Sequence, residues 1–364
     1  MVKKITLQDV ARHAGVSTGT IDRVIHNRGK VSAEKKARVE KAIKELKFNP
    51  NLLARTLALG HQYQVCVLVP SASSSSHYWS MPINGIEIAS QQFKDYGIVT
   101  ELFLYDLYKE QTFVEQANKI LSIAPDAVVV APLFYHESKL FVQKLQQIAI
   151  PYIFIDADLP GGQGFSYIGP DIRSSAFIAG KLLNSILPER TEVVIINLVK
   201  GFENAASIQQ IEHGFKSYYE SNHLTEKKKI HTLTINSTTK ENIFNSLSKF
   251  YSTHPEVKGA FISNSKAFIV SEFHKSNKLD IRLIGYDLVE ENVQHVRDGG
   301  IDFIISQNPI QQGKRAIQTF FNYFVYKTEP EKVQHIPLDI IIKENLEFYL
   351  RFNQRFQNDF KQLH

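Results

Sequence analysis

The sequence predicts a small all-α headpiece followed by a larger, two-lobed α/β body with parallel sheets flanked by helices. Residues 1–60 have apolar side chains at helical spacing, whereas the rest of the chain alternates short hydrophobic runs with amphipathic helical patterns. Repeated strand–helix units of this kind form parallel sheets covered by helices on both faces. The length of 364 residues also requires two or three domains, at roughly 100–200 residues each.

Composition narrows the class of protein before any motif is considered. Hydrophobic residues make up 43% and charged residues 22% of the chain, which is ordinary for a soluble globular protein. The single cysteine, Cys66, excludes an intrachain disulfide and a cysteine-rich zinc site. No run approaches the ~18 apolar residues of a membrane span, and the first residues lack the apolar core of a secretion signal. We therefore expect a cytoplasmic protein without membrane association, metal or cofactor.

Basic residues are concentrated at the start of the chain. Residues 1–60 carry 13 Lys and Arg against 5 Asp and Glu, whereas the remainder carries 29 against 32. Such asymmetry is typical of proteins that bind a polyanion, although a solvated lysine-rich helix produces the same count.

The first residues predict a helix-turn-helix. Thr6 is a good N-cap for a first helix, and Gly15 ends that helix because glycine readily adopts the left-handed conformation. Ser17 then caps a second helix, and a third follows Ser32. A short helix, a glycine turn and a second capped helix make up the motif.

A short hinge follows the third helix. Asn49-Pro50-Asn51 ends that helix, because the residue before a proline avoids the helical region. The next helix, at about eight residues, is too short to be stable alone in water. The stretches TLQDVARHAGVSTGTIDRVIHNRGKVS and ELKFNPNLLARTLALG closely resemble the headpiece and hinge of the lactose-repressor (LacI/GalR) family over about sixty residues. The resemblance implies a transcriptional regulator that binds a double-stranded DNA operator as a homodimer.

The resemblance also implies roles for individual residues. The second helix of such a motif enters the major groove, and Arg23 suits the O6 and N7 atoms of guanine. Asp22 either accepts from a cytosine amine or orients Arg23 through an ion pair. In the hinge, Leu57 would wedge between base pairs in the minor groove, unless it packs against the protein core. The candidate DNA-binding residues are Thr6, Ser17, Thr18, Gly19, Thr20, Arg23, His26, Asn27, Lys30, Asn51, Ala54, Arg55 and Leu57.

The body resembles the type I periplasmic-binding-protein fold, in which the chain crosses between two lobes three times. Ten hydrophobic runs predict its strands: Val65–Val69, Val99–Tyr105, Ala127–Ala131, Tyr152–Ile155, Val193–Leu198, Ile230–Ile235, Gly259–Ser263, Arg282–Gly285, Phe303–Ser306 and Leu338–Ile342. We expect crossings near residues 167, 307 and 330. The resulting domains are a headpiece (1–48), a hinge (49–62), a ligand-binding and dimerisation body (63–343) and an aromatic helical tail (344–364). Within the body the N-lobe spans about 63–167 and 308–330, and the C-lobe about 168–307 and 331–343.

Polar residues directly after strands mark a ligand site, because open parallel sheets bind ligands beyond the carboxyl ends of their strands. Carboxylates and amides suit hydroxyl-rich ligands, and an aromatic residue can stack on the apolar face of a sugar. The alternative for Trp79 is that it packs as a residue at the rim of the site. The alternative for the polar residues is that they cap helices or close loops. The candidates are Ser76, Tyr78, Trp79, Asp156, Asn264, Asp287 and Gln307.

One position departs from the family pattern. Ile211 stands where relatives carry an arginine that clamps the ligand, which puts a conventional aldose pose, and a carboxylate or phosphate ligand, in doubt. We nevertheless expect a small effector that is a sugar, a polyol or a sugar acid.

Two other functions were weighed. A solute-binding protein of a transporter is the alternative, but it would need an export signal and no DNA headpiece. An enzyme is not expected, because no nucleophile elbow, metal-spaced histidine cluster or phosphate-binding glycine loop occurs. The tail repeats phenylalanine every four residues, a stripe expected to pack on its own lobe rather than on a second subunit: Phe348, Phe352, Phe356 and Phe360.

Overall fold

The protein was analysed as a computed structural model, which describes residues 5–25, 31–46, 62–72, 77–199 and 205–351. The chain divides into two compact units, one up to His61 and one from Gln62 onward. In the described ranges, no helix is long and apolar enough to cross a membrane.

The first unit contains three helices around a small core. They are α1 (Leu7–Ala14), α2 (Thr18–Ile25) and α3 (Ala33–Glu45). One apolar side of each helix is buried, which the spacing of the apolar residues predicts. The fully packed members of this core are Val10, Ala11, Ala14, Ile21, Val39 and Ala42.

The N-lobe of the second unit is built on a six-stranded parallel sheet in the order β11-β5-β4-β3-β1-β2. Its strands are β1 (Tyr63–Pro70), β2 (Ile98–Tyr105), β3 (Ala127–Val130), β4 (Tyr152–Ile155), β5 (Ser166–Gly169) and β11 (Val333–His335). Its helices are α4 (Ser80–Phe93), α5 (Glu110–Ile123), α6 (Tyr135–Gln147) and α12 (Pro309–Phe321), and a π-helical turn (Asn322–Tyr326) extends the last. Short 3₁₀ turns occupy His77–Trp79 and Lys94–Tyr96.

The C-lobe repeats the same plan with the order β12-β10-β9-β8-β6-β7, and only β12 is antiparallel to its neighbour. Its strands are β6 (Glu192–Val199), β7 (Ile230–Asn236), β8 (Val257–Ile262), β9 (Arg282–Tyr286), β10 (Phe303–Ser306) and β12 (Asp339–Ile341). Its helices are α7 (Ile172–Ser185), α8 (Ala205–Ser221), α9 (Lys240–Thr253), α10 (Ala267–Ser276), α11 (Glu290–Arg297) and α13 (residues 343–351).

Central strands of the C-lobe are buried on both faces. In β6, Val194 and Ile196 belong to one apolar core, whereas Val193 and Ile195 belong to the core on the opposite face. This alternation follows from the two-residue period of a strand. It explains why the strand appears in the sequence as a continuous hydrophobic run.

The third crossing between lobes lies later in the chain than the sequence predicts. β11 pairs with β5 in the N-lobe sheet and β12 with β10 in the C-lobe sheet, so the chain crosses at residues 336–338 and not near 330. The first crossing similarly follows Gly169, because β5 still belongs to the N-lobe. The middle crossing, at 307–308, agrees with the prediction near 307. Residues 331–335 therefore belong to the N-lobe, contrary to the predicted boundary.

The last described helix is tied to two of these crossings. The Tyr349 hydroxyl donates a hydrogen bond to Asn308 Oδ1 at 3.0 Å, and it lies 3.1 Å from Ser306 Oγ. The Asn308 amide in turn donates to the Pro337 carbonyl at 2.8 Å and to Asp339 Oδ2 at 2.9 Å. One polar cluster thus joins α13 to the second and third crossings.

The predicted aromatic stripe does not describe how α13 packs. Phe348 is 73% exposed, which contradicts its expected contact with the lobe. Leu346, Tyr349 and Leu350 lie against the C-lobe core instead. The remaining members of the stripe, Phe352, Phe356 and Phe360, lie outside the described residues.

Candidate functional site

The first helix of the helix-turn-helix begins with a reciprocal capping interaction. Thr6 Oγ1 accepts a hydrogen bond from the Asp9 backbone amide at 3.3 Å, and Asp9 Oδ2 accepts from the Thr6 amide at 2.9 Å. This reciprocal pair is a capping box, which satisfies donors that a helix leaves free at its start. Thr6, a candidate DNA contact, thus has a capping role in the structure.

Arg38 of α3 stabilises the turn, a role that the sequence reasoning missed. Its Nη2 donates to the Ala14 carbonyl at 2.6 Å and to the Gly15 carbonyl at 3.1 Å. Gly15 has a φ of 62°, and a Cβ at this position would lie 2.4 Å from the same Nη2 atom. The left-handed backbone therefore favours glycine, and a larger residue would also displace the Arg38 guanidinium from its position.

Three candidate DNA-binding positions of α2 face solvent. Thr18, Gly19 and Arg23 are exposed, and Arg23 makes no hydrogen bond or ion pair with any residue that the structure describes. Ser17 Oγ accepts from the Thr20 amide at 3.2 Å and lies 3.0 Å from Thr20 Oγ1, which caps the helix. Arg23 lies in the last turn of α2, and its exposed guanidinium carries the paired donors that can bond to a base edge.

Several candidates lie outside the described residues, so the structure places none of them. They are His26, Asn27, Lys30, Asn51, Ala54, Arg55, Leu57 and Ser76.

A cavity of about 210 Å³ lies between the lobes, at the carboxyl ends of both sheets. This volume is below the roughly 300–1,000 Å³ of pockets for drug-sized molecules, so the site suits a small ligand. The cavity brings together six of the seven residues predicted for the ligand site: Tyr78, Trp79, Asp156, Asn264, Asp287 and Gln307.

Asp156 lies in the N-lobe wall directly after β4. Its φ of 69° is in the left-handed region, and its amide donates to the Ile168 carbonyl of β5 at 3.2 Å. Its Oδ1 accepts a hydrogen bond from the Tyr78 hydroxyl. Burial raises the pKa of Asp156 to about 6, although the hydrogen bond from Tyr78 opposes this shift.

Asp287 occupies the equivalent place in the C-lobe, directly after β9. Its φ is 57°, its amide donates to the Ile305 carbonyl of β10 at 3.1 Å, and its Oδ1 accepts from the Gln307 amide at 2.8 Å. Burial raises the pKa of Asp287 to about 8, and the nearby charge of Asp156 adds to the shift. Two carboxylates in matching backbone conformations thus enter one cavity from opposite lobes.

The remaining predicted residues differ in how free they are to bind a ligand. Trp79 is only 3% exposed and packs edge-on against Tyr78, so it forms a wall rather than an open stacking platform. Asn264 Nδ2 donates to the Leu198 carbonyl at 2.8 Å, and its Oδ1 accepts from the Lys266 amide at 3.1 Å. Asn264 therefore closes a loop, the alternative role considered for it, while still lining the cavity.

The cavity also contains residues that the sequence did not indicate. Tyr108, Lys266 and Tyr286 lie in its wall, and Lys266 Nζ is 3.3 Å from the Tyr108 hydroxyl. Ile211 lines the same wall and is 7% exposed, so it contributes an apolar surface to the cavity.

Two contacts join the lobes across the mouth of the cleft. Tyr108 follows β2 in the N-lobe and Lys266 follows β8 in the C-lobe. Similarly, His77 of the N-lobe lies 2.7 Å, Nδ1 to Oε1, from Glu291 of α11. We refer to this arrangement, in which both contacts are made, as the closed form of the cleft.

Comparison with known proteins supports both units. Residues 6–51 match the family model for bacterial regulatory proteins of the lacI family, and residues 66–327 match the model for a periplasmic binding protein domain. The transcriptional regulator MalR of Streptococcus pneumoniae is 37% identical over 100 residues, which cover 26% of this chain and 30% of MalR. The match thus spans about a third of the length of that curated relative.

Solved structures match the body of the chain. A protein from Bacteroides fragilis whose structure is described as that of a LacI transcriptional regulator has a TM-score of 0.72 and 28% identity, covering 79% of this chain and 99% of that one. GanP, a glucose-galactose binding protein from Geobacillus stearothermophilus, has a TM-score of 0.69 and 20% identity over 79% of this chain and 99% of its own. The similarity to GanP shows a shared fold.

Proposed function

The chain belongs to the periplasmic binding protein domain family and carries a lacI-family regulatory domain ahead of that domain. We propose that it is a transcriptional regulator controlled by a small ligand. The observation that carries the proposal is the pairing of an exposed recognition helix in one unit with a cleft lined by opposed carboxylates in the other. Its relatives with curated names are regulators and not enzymes, which supports a non-enzymatic role.

The regulator binds DNA through α2 in the major groove. Thr18, Gly19 and Arg23 face the base edges, and the Arg23 guanidinium pairs with a guanine. Ser17, Thr20, His26, Asn27 and Lys30 contact phosphates, which position the helix without specifying sequence. A homodimer places two such helices on the half-sites of a pseudo-palindromic operator.

The hinge supplies the second contact. Asn51, Ala54 and Arg55 line the minor groove, where Leu57 enters between base pairs and kinks the duplex. A helix of this length gains stability from DNA and from its dimer mate, because it is marginal alone.

The effector binds in the cleft between Asp156 and Asp287. Carboxylate, amide and aromatic side chains in a small cavity suit a sugar, polyol or other hydroxylated molecule. The fold shared with a glucose-galactose binding protein supports this choice. Ligand that favours the closed lobes changes the affinity for the operator, and the coupling is reciprocal, typically ~1–3 kcal/mol.

Selection of bound fragments from a random duplex library tests the DNA part of the proposal. The full chain should enrich a pseudo-palindrome, and fluorescence anisotropy with that duplex should then respond to a hexose and polyol panel. Failure to bind any duplex at low salt would contradict the proposal, because phosphate contacts alone give measurable affinity there.

A further inference from the structure

The charged residues of the cavity point to the chemistry of its ligand. Among the described wall residues only three carry charge: Asp156 from the N-lobe, and Asp287 and Lys266 from the C-lobe. The wall therefore has an excess of negative charge whenever both carboxyl groups are ionised.

Neither carboxylate has a cationic partner in the described part of the chain. Asp156 accepts a hydrogen bond from the Tyr78 hydroxyl, and Asp287 accepts one from the backbone amide of Gln307. Neither residue forms an ion pair within the described ranges. The Lys266 ammonium lies instead against Tyr108, 3.3 Å from its hydroxyl and 5.9 Å from its ring centroid. Carboxylates withdrawn from water are unfavourable unless a positive charge compensates them.

The rest of the wall also suits a cation. Tyr78, Trp79 and Tyr286 line the cavity, and the electron-rich faces of aromatic rings attract positive charge. Ile211 contributes an apolar side chain to the wall and no charge. A ligand carboxylate or phosphate would add a third acidic group to a site that already has two.

We propose that the effector is a small hydroxylated amine, such as an amino sugar, whose ammonium group binds between Asp156 and Asp287. This inference rests on the proposed function, since it names the class of the effector. Its hydroxyl groups bond to the amide and hydroxyl side chains of the wall, and its ring packs on the aromatic residues. The raised pKa values of the two aspartates agree with it, because burial disfavours their ionised forms and a bound ammonium group would favour them.

Isothermal titration calorimetry on the full chain tests the proposal. The probes are D-glucosamine, D-galactosamine and D-mannosamine, each compared with its neutral parent hexose and its N-acetyl derivative. At least one amine should bind roughly tenfold to hundredfold more tightly than both of its neutral analogues, as expected for a charge-assisted contact in a protein interior.

Variants locate the effect. Asp287→Asn and Asp156→Asn should remove the preference for the amine, whereas Asp158→Asn should retain it, because Asp158 is exposed and does not line the cavity. Thermal unfolding of each variant verifies that it is folded. The proposal is overturned by equal affinity for amine and neutral analogues, by failure of all three amines to bind, or by a preference that survives both cavity substitutions.

Operator binding separates this inference from the proposed function. An amine that binds tightly to a protein unable to bind DNA would support the ligand class and contradict the regulator. An operator that is bound and released by a neutral sugar would support the regulator and contradict the ligand class.

Discussion

The ammonium group of Lys266 donates a hydrogen bond to the hydroxyl of Tyr108, so that one side chain of each lobe meets across the cleft. These residues are 158 positions apart in the chain. Because they belong to different lobes, the bond exists only when the lobes approach, and it contributes to the free energy of the closed form. A ligand that needs the closed form benefits from it.

Lys266→Met should weaken ligand binding by about 0.5–1.5 kcal/mol, the net value of one hydrogen bond. Tyr108→Phe should have a similar effect, and the double variant should lose less than the sum because both substitutions remove one interaction. Calorimetric titration measures the three affinities. Lys275→Met is the matched control, since Lys275 pairs with Asp298 within the C-lobe. Fully additive losses would show that the two residues act independently.

Arg23→Ala should abolish discrimination between operator and unrelated DNA while leaving ligand affinity unchanged. A bidentate contact with a base contributes about 1–3 kcal/mol of discrimination, whereas phosphate contacts weaken binding to every sequence alike. Anisotropy titrations with operator and scrambled duplexes measure both quantities. An equal loss on the two duplexes would be inconsistent with base reading by Arg23.

Arg38→Ala should loosen the turn between α1 and α2. The substitution leaves the Ala14 and Gly15 carbonyls without their donor, which costs about 1–3 kcal/mol where they are shielded from water. Hydrogen exchange of the Val10 and Ile21 amides in the full chain should accelerate, and affinity should fall on all DNA sequences. Lys44→Ala, an exposed change on the same helix, is the control. Unchanged exchange would show that the helix contacts alone hold the turn.

The unliganded protein should lose stability as pH rises from about 4 to about 8. The pKa of Asp287 is raised to about 8, so the folded state retains a proton that the unfolded state releases near its ordinary pKa of about 3.9. Since the folded state binds more protons in this window, the free energy of unfolding decreases with pH. The groups facing this carboxyl are Asp156, Tyr78, Tyr286 and the Gln307 amide.

Thermal unfolding across this pH range measures the effect. Asp287→Asn should flatten the dependence, because an amide does not titrate. A slope that the substitution does not alter would assign the pH dependence to other groups.

The positions of the two cavity carboxylates could be predicted from local patterns, whereas the contacts that complete the site could not. Asp156 and Asp287 each follow a buried apolar strand, and the carboxyl ends of parallel strands lie at one edge of a sheet. No comparable pattern in the sequence predicts the contacts of Lys266 and Arg38. Each contacts a residue far away in the sequence, and nothing in the surrounding residues indicates the partner.

The two missed strands have a related explanation. β11 has three residues, of which Val333 is 46% exposed, and β5 has four, so neither forms a long apolar run. Both are defined by pairing between residues 333–335 and 167–169. Their assignment to the N-lobe sheet, and with it the third crossing, depends on a long-range pairing that periodicity cannot reveal.

The contact of Tyr349 with Asn308 makes the final described helix a natural reporter of lobe motion. Asn308 has a φ of 50° within the second crossing and also holds the third, so any rotation of one lobe against the other strains the cluster beneath this helix. A fluorophore attached at the exposed Phe348 would lie next to Tyr349 in the chain. Opening of the cleft could then be read in real time, without a label in either the cavity or the headpiece.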